Sequence, residues 1–169
     1  LEAMGVPMNL SPHAVAQYDK IGSTPTEGLA MTRMQQIGGV PPGLDALAQM
    51  AFRHIEAEDR GDIEATLATF EDDASFELYP CGLRLSGRER IRRYYEQFFS
   101  LARPRCTGYT VHGQAFGETS LTVEITVTVA YPDASRRDFR TMTVFPYGTT
   151  ALRGERIYAD IEFFRVIFG

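Results

Sequence analysis

The chain has 169 residues, a formal net charge of −5 at pH 7, 44% hydrophobic residues and 23% charged residues. This length and composition are ordinary for one globular domain with a sizeable core. The sequence has no apolar run of about eighteen residues, so we predict no membrane-spanning helix and no membrane partner. The acidic balance argues against a nucleic-acid partner, because such proteins usually carry a basic face that neutralises phosphates.

The sequence also argues against a metal site and against a bound cofactor. Cys81 and Cys106 have neither CxxC spacing nor a nearby pair of histidines, so no zinc site is predicted. There is no glycine-rich phosphate loop, and we therefore expect no nucleotide cofactor. The first residues lack a basic segment followed by an apolar one, and from this we expect a cytoplasmic location.

Residues 1–43 are predicted to form an N-terminal helical arm and linker. The segment from Ser11 to Gly22 begins with a capping residue followed by proline and ends with glycine, which is typical of a short helix. A second short helix is predicted from Thr24 to Gly38, and the Pro- and Gly-rich stretch before Leu44 is a linker. We expect the arm to dock on the main domain or on a partner subunit, because short helices are marginal alone.

The main domain, residues 44–169, opens with helices. Apolar residues recur at helical spacing over residues 45–60, which predicts an amphipathic helix. Asp62 is a predicted N-cap for a second helix that runs to about Phe70. Ser86 and Glu89 form the pattern of a capping box, which predicts a third helix from there to about Leu101.

The second half of the domain is predicted to be a sheet. A short strand is expected over Ala74–Tyr79, and from Arg105 onward the pattern changes to a period of two residues. Longer strands follow over 121–129, 139–145 and 156–168. This order predicts an α+β domain in which a curved antiparallel sheet wraps over helices. Such a sheet leaves a conical cavity suited to a small molecule.

Three segments resemble the nuclear transport factor 2-like superfamily, and within it the SnoaL-like polyketide cyclase group. They are Gly61-Asp62-Ile63-Glu64-Ala65 with Phe70-Glu71-Asp72-Asp73-Ala74, Ser86-Gly87-Arg88-Glu89-Arg90-Ile91, and Arg156-Ile157-Tyr158-Ala159-Asp160-Ile161. The resemblance covers about residues 44–168. It implies a cone of three helices and a curved sheet, a homodimer formed through the outer sheet face, and an enzyme that needs no cofactor. In ketosteroid isomerase, a member of this superfamily, the catalytic base would fall at Leu78, so isomerisation by that mechanism is not expected.

Asp160 is the first candidate for a catalytic residue. Aspartate is a poor strand former, so a carboxylate in a predicted strand needs a partner, an exposed face or a cavity. The resemblance places Asp160 at the acid/base aspartate of SnoaL-like cyclases. The alternative is a structural carboxylate held by backbone N–H groups or by an arginine.

His54 is the second candidate, because it lies on the inward stripe of the first predicted helix. A histidine there could polarise a substrate oxygen or assist proton transfer with Asp160 across the cavity. The alternative is a core histidine that is hydrogen-bonded to Glu58 one turn later.

Five further residues are predicted to contact a substrate, and each has an ordinary structural alternative. Glu124 interrupts a threonine-rich strand face, where a carboxylate more often faces solvent or a dimer partner. Three tyrosines offer hydroxyls that could orient a ligand, although aromatic residues at such spacing are more often core. Phe164 shares the predicted strand face of Asp160. The tyrosines are Tyr79, Tyr95 and Tyr158.

The sequence and the resemblance together favour an acid/base enzyme that acts on a hydrophobic small molecule by cyclisation, isomerisation, dehydration or epoxide opening. Asp160 and His54 would carry the chemistry. The alternative is a non-catalytic binding or assembly module of the same fold, in which the cavity is closed or holds a ligand passively.

Overall fold

The computed structural model describes residues 45–168, and the predicted helices of the N-terminal arm lie outside this range. None of the helices within 45–168 is both long and apolar enough to cross a membrane. The elements in chain order are α1 (Asp45–Arg60), α2 (Ile63–Leu67), β1 (Phe70–Tyr79), β2 (Leu83–Ser86), α3 (Arg88–Gln97), a π-helical turn (Phe98–Ala102), a 3-10 turn (Arg103–Arg105), β3 (Cys106–Phe116), β4 (Ser120–Ala130), β5 (Arg136–Pro146), β6 (Leu152–Tyr158) and α4 (Ile161–Phe168).

The six strands form one curved, open sheet in the order β2-β1-β6-β5-β4-β3. Neighbouring strands are antiparallel except for β1 and β6, which are parallel. Helices cover one face of the sheet, so the predicted α+β class with a cone-shaped sheet is confirmed. The register of β3 against β4 shifts twice, between Cys106 and Gly108 and between Val111 and Gly113.

The concave face of the sheet carries the core, because side chains alternate between the two faces of a strand. On β4, Leu121, Val123, Val127 and Val129 are buried, whereas the threonines between them face outward. Phe139, Thr141 and Phe145 are the buried residues of β5. The clean alternation of β4 explains why its sequence predicted this strand well.

The helices begin largely where the sequence predicts. Helix α1 spans Asp45–Arg60, and the side chain of Asp62 accepts a hydrogen bond from the Ala65 N–H at 3.0 Å, as expected of an N-cap. The predicted capping box at Ser86 is wrong. Gly87 occupies the N-cap of α3 without a side-chain hydrogen bond, and its φ of 88° is a conformation that favours glycine.

The predicted strand over 156–168 is wrong beyond Tyr158. Strand β6 ends there, and α4 follows after two residues. The Oδ1 of Asp160 accepts a hydrogen bond from the Glu162 N–H at 2.8 Å, and the Phe163 N–H donates to the Asp160 carbonyl. Aromatic and β-branched residues favour a strand in this segment, but the capping aspartate and an apolar face that packs on the core favour the helix.

Candidate active site

A cavity of about 130 Å³ lies between the concave face of the sheet and the helices. Most of its wall is apolar or aromatic, and its charged lining residues are Glu58, Asp59, Arg103 and Glu155. The residues that line it are Ile55, Glu58, Asp59, Tyr94, Phe98, Arg103, Cys106, Tyr109, Val111, Val123, Ile125, Val127, Thr141, Thr143, Phe145, Glu155, Ile157 and Phe163. An apolar pocket with a few convergent polar groups is the usual form of a small-molecule site.

His54 lies directly behind this wall and is fully buried in α1. Its Nδ1 is 2.8 Å from the hydroxyl oxygen of Thr69, and that hydroxyl donates its proton to the Thr66 carbonyl at 2.6 Å. Because a hydroxyl has one proton to donate, Thr69 must accept from Nδ1–H. The other ring nitrogen, Nε2, is therefore directed at the acidic groups beside the cavity.

Nε2 of His54 faces two glutamates and a tyrosine. It lies 2.9 Å from Glu155 Oε1, 3.7 Å from Glu58 Oε1 and 3.2 Å from the hydroxyl of Tyr95. The Tyr95 hydroxyl donates to Glu155 Oε1 at 2.6 Å. Since Tyr95 has one proton, the short contact between Nε2 and Glu155 requires a proton of its own. We assign that proton to Nε2, which makes His54 an imidazolium that donates to a carboxylate.

The surroundings of His54 support this charge state. Burial lowers the pKa of His54, but the charge of Glu58 when that group is ionised, and the hydrogen bond and charge of Glu155, raise it, and the net shift is upward. Tyr95 stays a neutral donor, because burial and the two nearby glutamates hold the pKa of its phenol well above the ordinary value. The buried cluster therefore contains one positive ring beside its carboxyl groups.

Glu58 carries the proton that faces the cavity. Burial, followed by repulsion from Glu155, raises the pKa of Glu58 to about 8, against the opposing charge of His54. At neutral pH this side chain is a carboxylic acid, and 24% of it is exposed. Burial also raises the pKa of Asp59, the next residue, although Arg103 opposes that shift.

His54, Glu58 and Glu155 offer donor atoms that lie within 4.8 Å of one another. Such a set contains the atom types that bind metal ions. Here, however, Nε2 and Glu155 Oε1 are directed at each other in a hydrogen bond, and Tyr95 donates to the same oxygen. In this geometry His54, Tyr95 and Glu155 form one hydrogen-bonded cluster.

The structure does not bring Asp160 and His54 together. Asp160 lies at the surface, where 44% of its side chain is exposed, and it does not line the cavity. Its carboxylate caps α4 and pairs with Arg137 at 2.9 Å. This arrangement matches the alternative interpretation, a structural carboxylate held by a backbone N–H group and by an arginine. Catalysis by Asp160 stays a prediction, and its position gives that prediction no support.

The residues predicted to bind substrate lie outside the cavity wall as well. Tyr79 and Tyr158 stack on each other with ring centres 4.8 Å apart, and both are more than a third exposed on the convex face of the sheet. Glu124 lies on the same face and pairs with Arg140 at 2.8 Å. Tyr95 and Phe164 are buried in the core, where Tyr95 binds Glu155 behind the wall.

Sequence reasoning missed the role of Glu58 and missed Glu155 altogether. Glu58 was interpreted only as the partner of His54, because an exposed acid and a buried acid look alike in an amphipathic helix. Glu155 and Ile157 are two residues apart in β6 and therefore share its concave face. The position of Glu155 two residues before the apolar Ile157, on the same face of a strand, was the sequence feature that could have identified it as an inward-facing acid.

A profile of the SnoaL-like domain matches residues 51–147. The chain belongs to the SnoaL-like domain family. The matched segment includes His54 and Glu58 but ends before Glu155, so the family match covers part of the buried cluster. None of the curated proteins is similar enough in sequence to match this chain.

Solved structures place this SnoaL-like chain among nuclear transport factor 2-like folds. An NTF2-like protein of unknown function from Burkholderia xenovorans LB400 is 18% identical, with a TM-score of 0.53 over 67% of this chain and 81% of that chain. SalBIII, an epoxide hydrolase/cyclase-like enzyme with a role in pyran ring formation in the polyether salinomycin, is 16% identical, with a TM-score of 0.56 over 68% of this chain and 91% of that chain. A putative isomerase from Rhodopseudomonas palustris is 14% identical, with a TM-score of 0.55 over 66% and 89%. At these identities the likeness establishes the fold alone.

Proposed function

We propose that this protein is a cofactor-independent acid/base enzyme that acts on a small apolar molecule in the cavity. Glu58 is the acid, Glu155 is the base, and His54 and Tyr95 position Glu155 from behind the wall. One observation carries the proposal: both glutamates line the same cavity, and a buried histidine holds a charged hydrogen bond to one of them.

Two neighbouring carboxyl groups suit proton transfer when one is protonated and the other is charged, because two like charges this close do not both ionise readily. The raised pKa of Glu58 makes it the protonated member. Glu155 accepts from Tyr95 and from His54, and these donors fix the carboxylate in one orientation. The pair therefore presents an acid and a base to one ligand.

The step most consistent with this pair is enolisation of a ketone. Glu155 removes a proton from the carbon beside the carbonyl, and the C–H electron pair forms the carbon–carbon double bond. The carbonyl oxygen takes the proton of Glu58 as its π electrons move onto oxygen. The product is an enol, Glu155 is protonated and Glu58 is ionised. If the ketone carries a neighbouring carbon–carbon double bond, the enol is conjugated, and return of the proton to the far carbon gives isomerisation. Attack of the enol carbon on an electrophile in the same molecule gives cyclisation.

The family and its neighbours support this reaction class. An epoxide hydrolase/cyclase-like enzyme and a putative isomerase share the fold. Epoxide opening and dehydration use the same two kinds of group, because both require a proton on a leaving oxygen and a base that removes a proton from water or from carbon. The apolar wall favours a hydrophobic substrate.

The test is exchange of the α-protons of cyclohexanone with deuterium, followed by ¹H NMR in D₂O. We expect the protein to accelerate exchange above the buffer rate. Glu58→Gln and Glu155→Gln should each lower this acceleration by roughly 100-fold or more. Glu89→Gln is the matched control, because this glutamate is exposed on α3, pairs with Arg93 at 3.3 Å and does not line the cavity.

Exchange at the buffer rate, with cyclohexanone shown to bind, would overturn catalysis in favour of the passive binding module. If exchange is still accelerated in both glutamine variants, the protein is an enzyme, but Glu58 and Glu155 are not its catalytic residues.

We also propose that the protein pairs with a second copy through the convex face of the sheet. Tyr79, Tyr158 and Met142 are the large hydrophobic residues that are exposed within 45–168, and the strand register places them side by side. Glu124 and Arg140 lie on the same face and neutralise each other within one copy, so this pair presents no net charge to a second copy. Sedimentation equilibrium should give a dimer, and Tyr158→Glu should give a monomer. A monomeric wild-type protein would contradict this proposal.

A further inference from the structure

The cavity has a second polar region away from the two glutamates. Thr141 and Thr143 are successive inward-facing residues of β5, and both line the cavity. The remaining sheet residues of the wall are mostly valine and isoleucine. Two hydroxyl groups interrupt this otherwise mostly aliphatic part of the wall.

Neither hydroxyl has a hydrogen-bond partner among the residues of 45–168. Thr141 as a residue is only 4% exposed, but its hydroxyl oxygen is not among the fully enclosed polar atoms without a partner, so it is accessible from the cavity. Buried polar groups in proteins are almost always hydrogen-bonded. Within the cavity, the two hydroxyls are therefore free to bond with water or with a ligand.

The strand register separates the two polar regions. Thr143 lies opposite Ile157 of β6, and Ile157 is two residues from Glu155 on the same face. Two residues along a strand span roughly 7 Å, and Thr141 is two residues farther along β5. The hydroxyls and the acid/base pair therefore lie at different places along one cavity wall.

The size of the cavity limits what can bridge these regions. An apolar protein cavity of about 150 Å³ accepts benzene. At about 130 Å³, the cavity of this protein is close to the size that accommodates a single ring. A fused polycyclic molecule would need additional space.

We propose that the substrate is a single-ring molecule with oxygen functions at two ends, one held by Glu58 and Glu155 and the other by Thr141 and Thr143. The identity of the first end rests on the proposed function. The two threonines are then residues that determine specificity. They recognise the oxygen that does not react, and the threonine hydroxyls donate to it.

The test compares two ketones of similar size. Cyclohexane-1,4-dione has carbonyl groups at both ends of the ring, whereas 4-methylcyclohexanone has a methyl group at the second end. We expect the dione to bind more tightly in a ligand-observed NMR titration. Thr141→Val combined with Thr143→Val should weaken dione binding by about fivefold or more, while binding of the methyl ketone stays within about twofold. Thr122→Val, on the convex face of β4, is the control.

A second measurement examines the free protein. Valine matches the shape of threonine and removes the hydroxyl, so the double variant should melt at or above the temperature of the wild type if the hydroxyls lack partners. A lower melting temperature, or an equal loss of affinity for both ketones, would overturn the proposal.

The outcome is separable from that of the proposed function. If the dione binds more tightly in a way that depends on the threonines but no deuterium exchange is accelerated, the proposed catalysis is wrong and the polar subsite is supported. If exchange is accelerated but the threonine substitutions do not change dione binding, catalysis is supported and the proposed subsite is wrong.

Discussion

Nε2 of His54 lies 2.9 Å from Oε1 of Glu155, and the two side chains are 0% and 4% exposed. Removal of one member leaves the other charged and buried. We therefore predict that His54→Leu lowers the free energy of unfolding by about 3–5 kcal/mol, measured by urea denaturation. Arg140→Ala, which breaks the exposed pair with Glu124, should cost less than about 1 kcal/mol.

A double variant separates loss of the pair from loss of packing. His54→Leu combined with Glu155→Leu removes both charges, and we expect it to recover part of the stability lost in His54→Leu. The single variant Glu155→Leu completes the comparison. If the double variant loses as much stability as His54→Leu and Glu155→Leu lose when added together, the two residues do not interact and the assigned charge state is wrong.

Stability should fall as the pH rises from 5 to 8.5. The pKa of Glu58 is raised to about 8, so its stabilising contribution is complete below about 4.5 and is lost as the pH rises through 8. The raised pKa of His54 acts in the same direction, with its contribution complete below about 6.5. The pKa values of Glu64, Glu71, Glu124 and Asp133 are lowered, so their contributions to stability are lost only as the pH falls below the ordinary carboxyl range. They do not change the slope between pH 5 and 8.5.

Glu58→Gln should remove much of this dependence, because glutamine does not ionise. We expect the variant to be close to the wild type at pH 5 and more stable by on the order of 1–3 kcal/mol at pH 8.5, measured from melting curves at each pH. Equal slopes for the two proteins between pH 5 and 8.5 would show that Glu58 titrates in its ordinary range.

Gly154 is predicted to tolerate no side chain. Its φ is +128°, and a Cβ placed on it would lie 1.9 Å from the carbonyl oxygen of Ser75 in the paired strand β1. Gly154→Ala should cost more than about 3 kcal/mol of unfolding free energy, because both the backbone conformation and the strand pairing are disturbed. Circular dichroism during chemical denaturation measures this.

Gly113→Ala is the matched substitution in the same sheet. A Cβ at Gly113 would have no neighbour within 4 Å, and this glycine has no positive φ. Its stability should be unchanged or raised by up to about 1 kcal/mol. Similar losses for both alanines would mean that the contact with Ser75 is not the cause.

Asp160 is predicted to act on stability and to leave turnover unaffected. Asp160→Ala removes the cap of α4 and should cost about 0.5–2 kcal/mol, whereas Asp160→Asn keeps a capping oxygen and should cost less. The ion pair with Arg137 adds little, because both side chains are more than 40% exposed. The measurements are urea denaturation and α-proton exchange of cyclohexanone. Loss of exchange in Asp160→Asn, with the fold intact, would return Asp160 to the catalytic site.

The sequence predicted the fold well because its main signals are local. The spacing of apolar residues fixed α1, the cap at Asp62 fixed the start of α2, and the alternation around Val123 predicted β4. The segment after Tyr158 was predicted wrongly. Its aromatic residues fit a strand or a buried helix face equally well, and packing against the core decided between them.

The candidate site was harder to predict because it depends on contacts between distant segments. His54 was identified from its helical face, but its nearest acid is 101 positions later in the sequence, on β6. Asp160 is a candidate from sequence because aspartate is a poor strand former, and its role as the cap of α4 explains its presence there. Glu155 lies inside β6, and its buried position depends on contacts with His54 of α1 and Tyr95 of α3. These partners are distant in the sequence, so the sequence of β6 alone does not identify this carboxylate as a site residue.

The two register shifts of β3 have a consequence for how the protein behaves when concentrated. β3 spans 11 residues and pairs with one neighbour in the described sheet, so its outer backbone groups could template an incoming extended chain. Shifts of register interrupt the regular row of donors and acceptors along such a border. The strand that carries Tyr109 and Val111 into the cavity is thereby also a poor nucleus for fibrous aggregation.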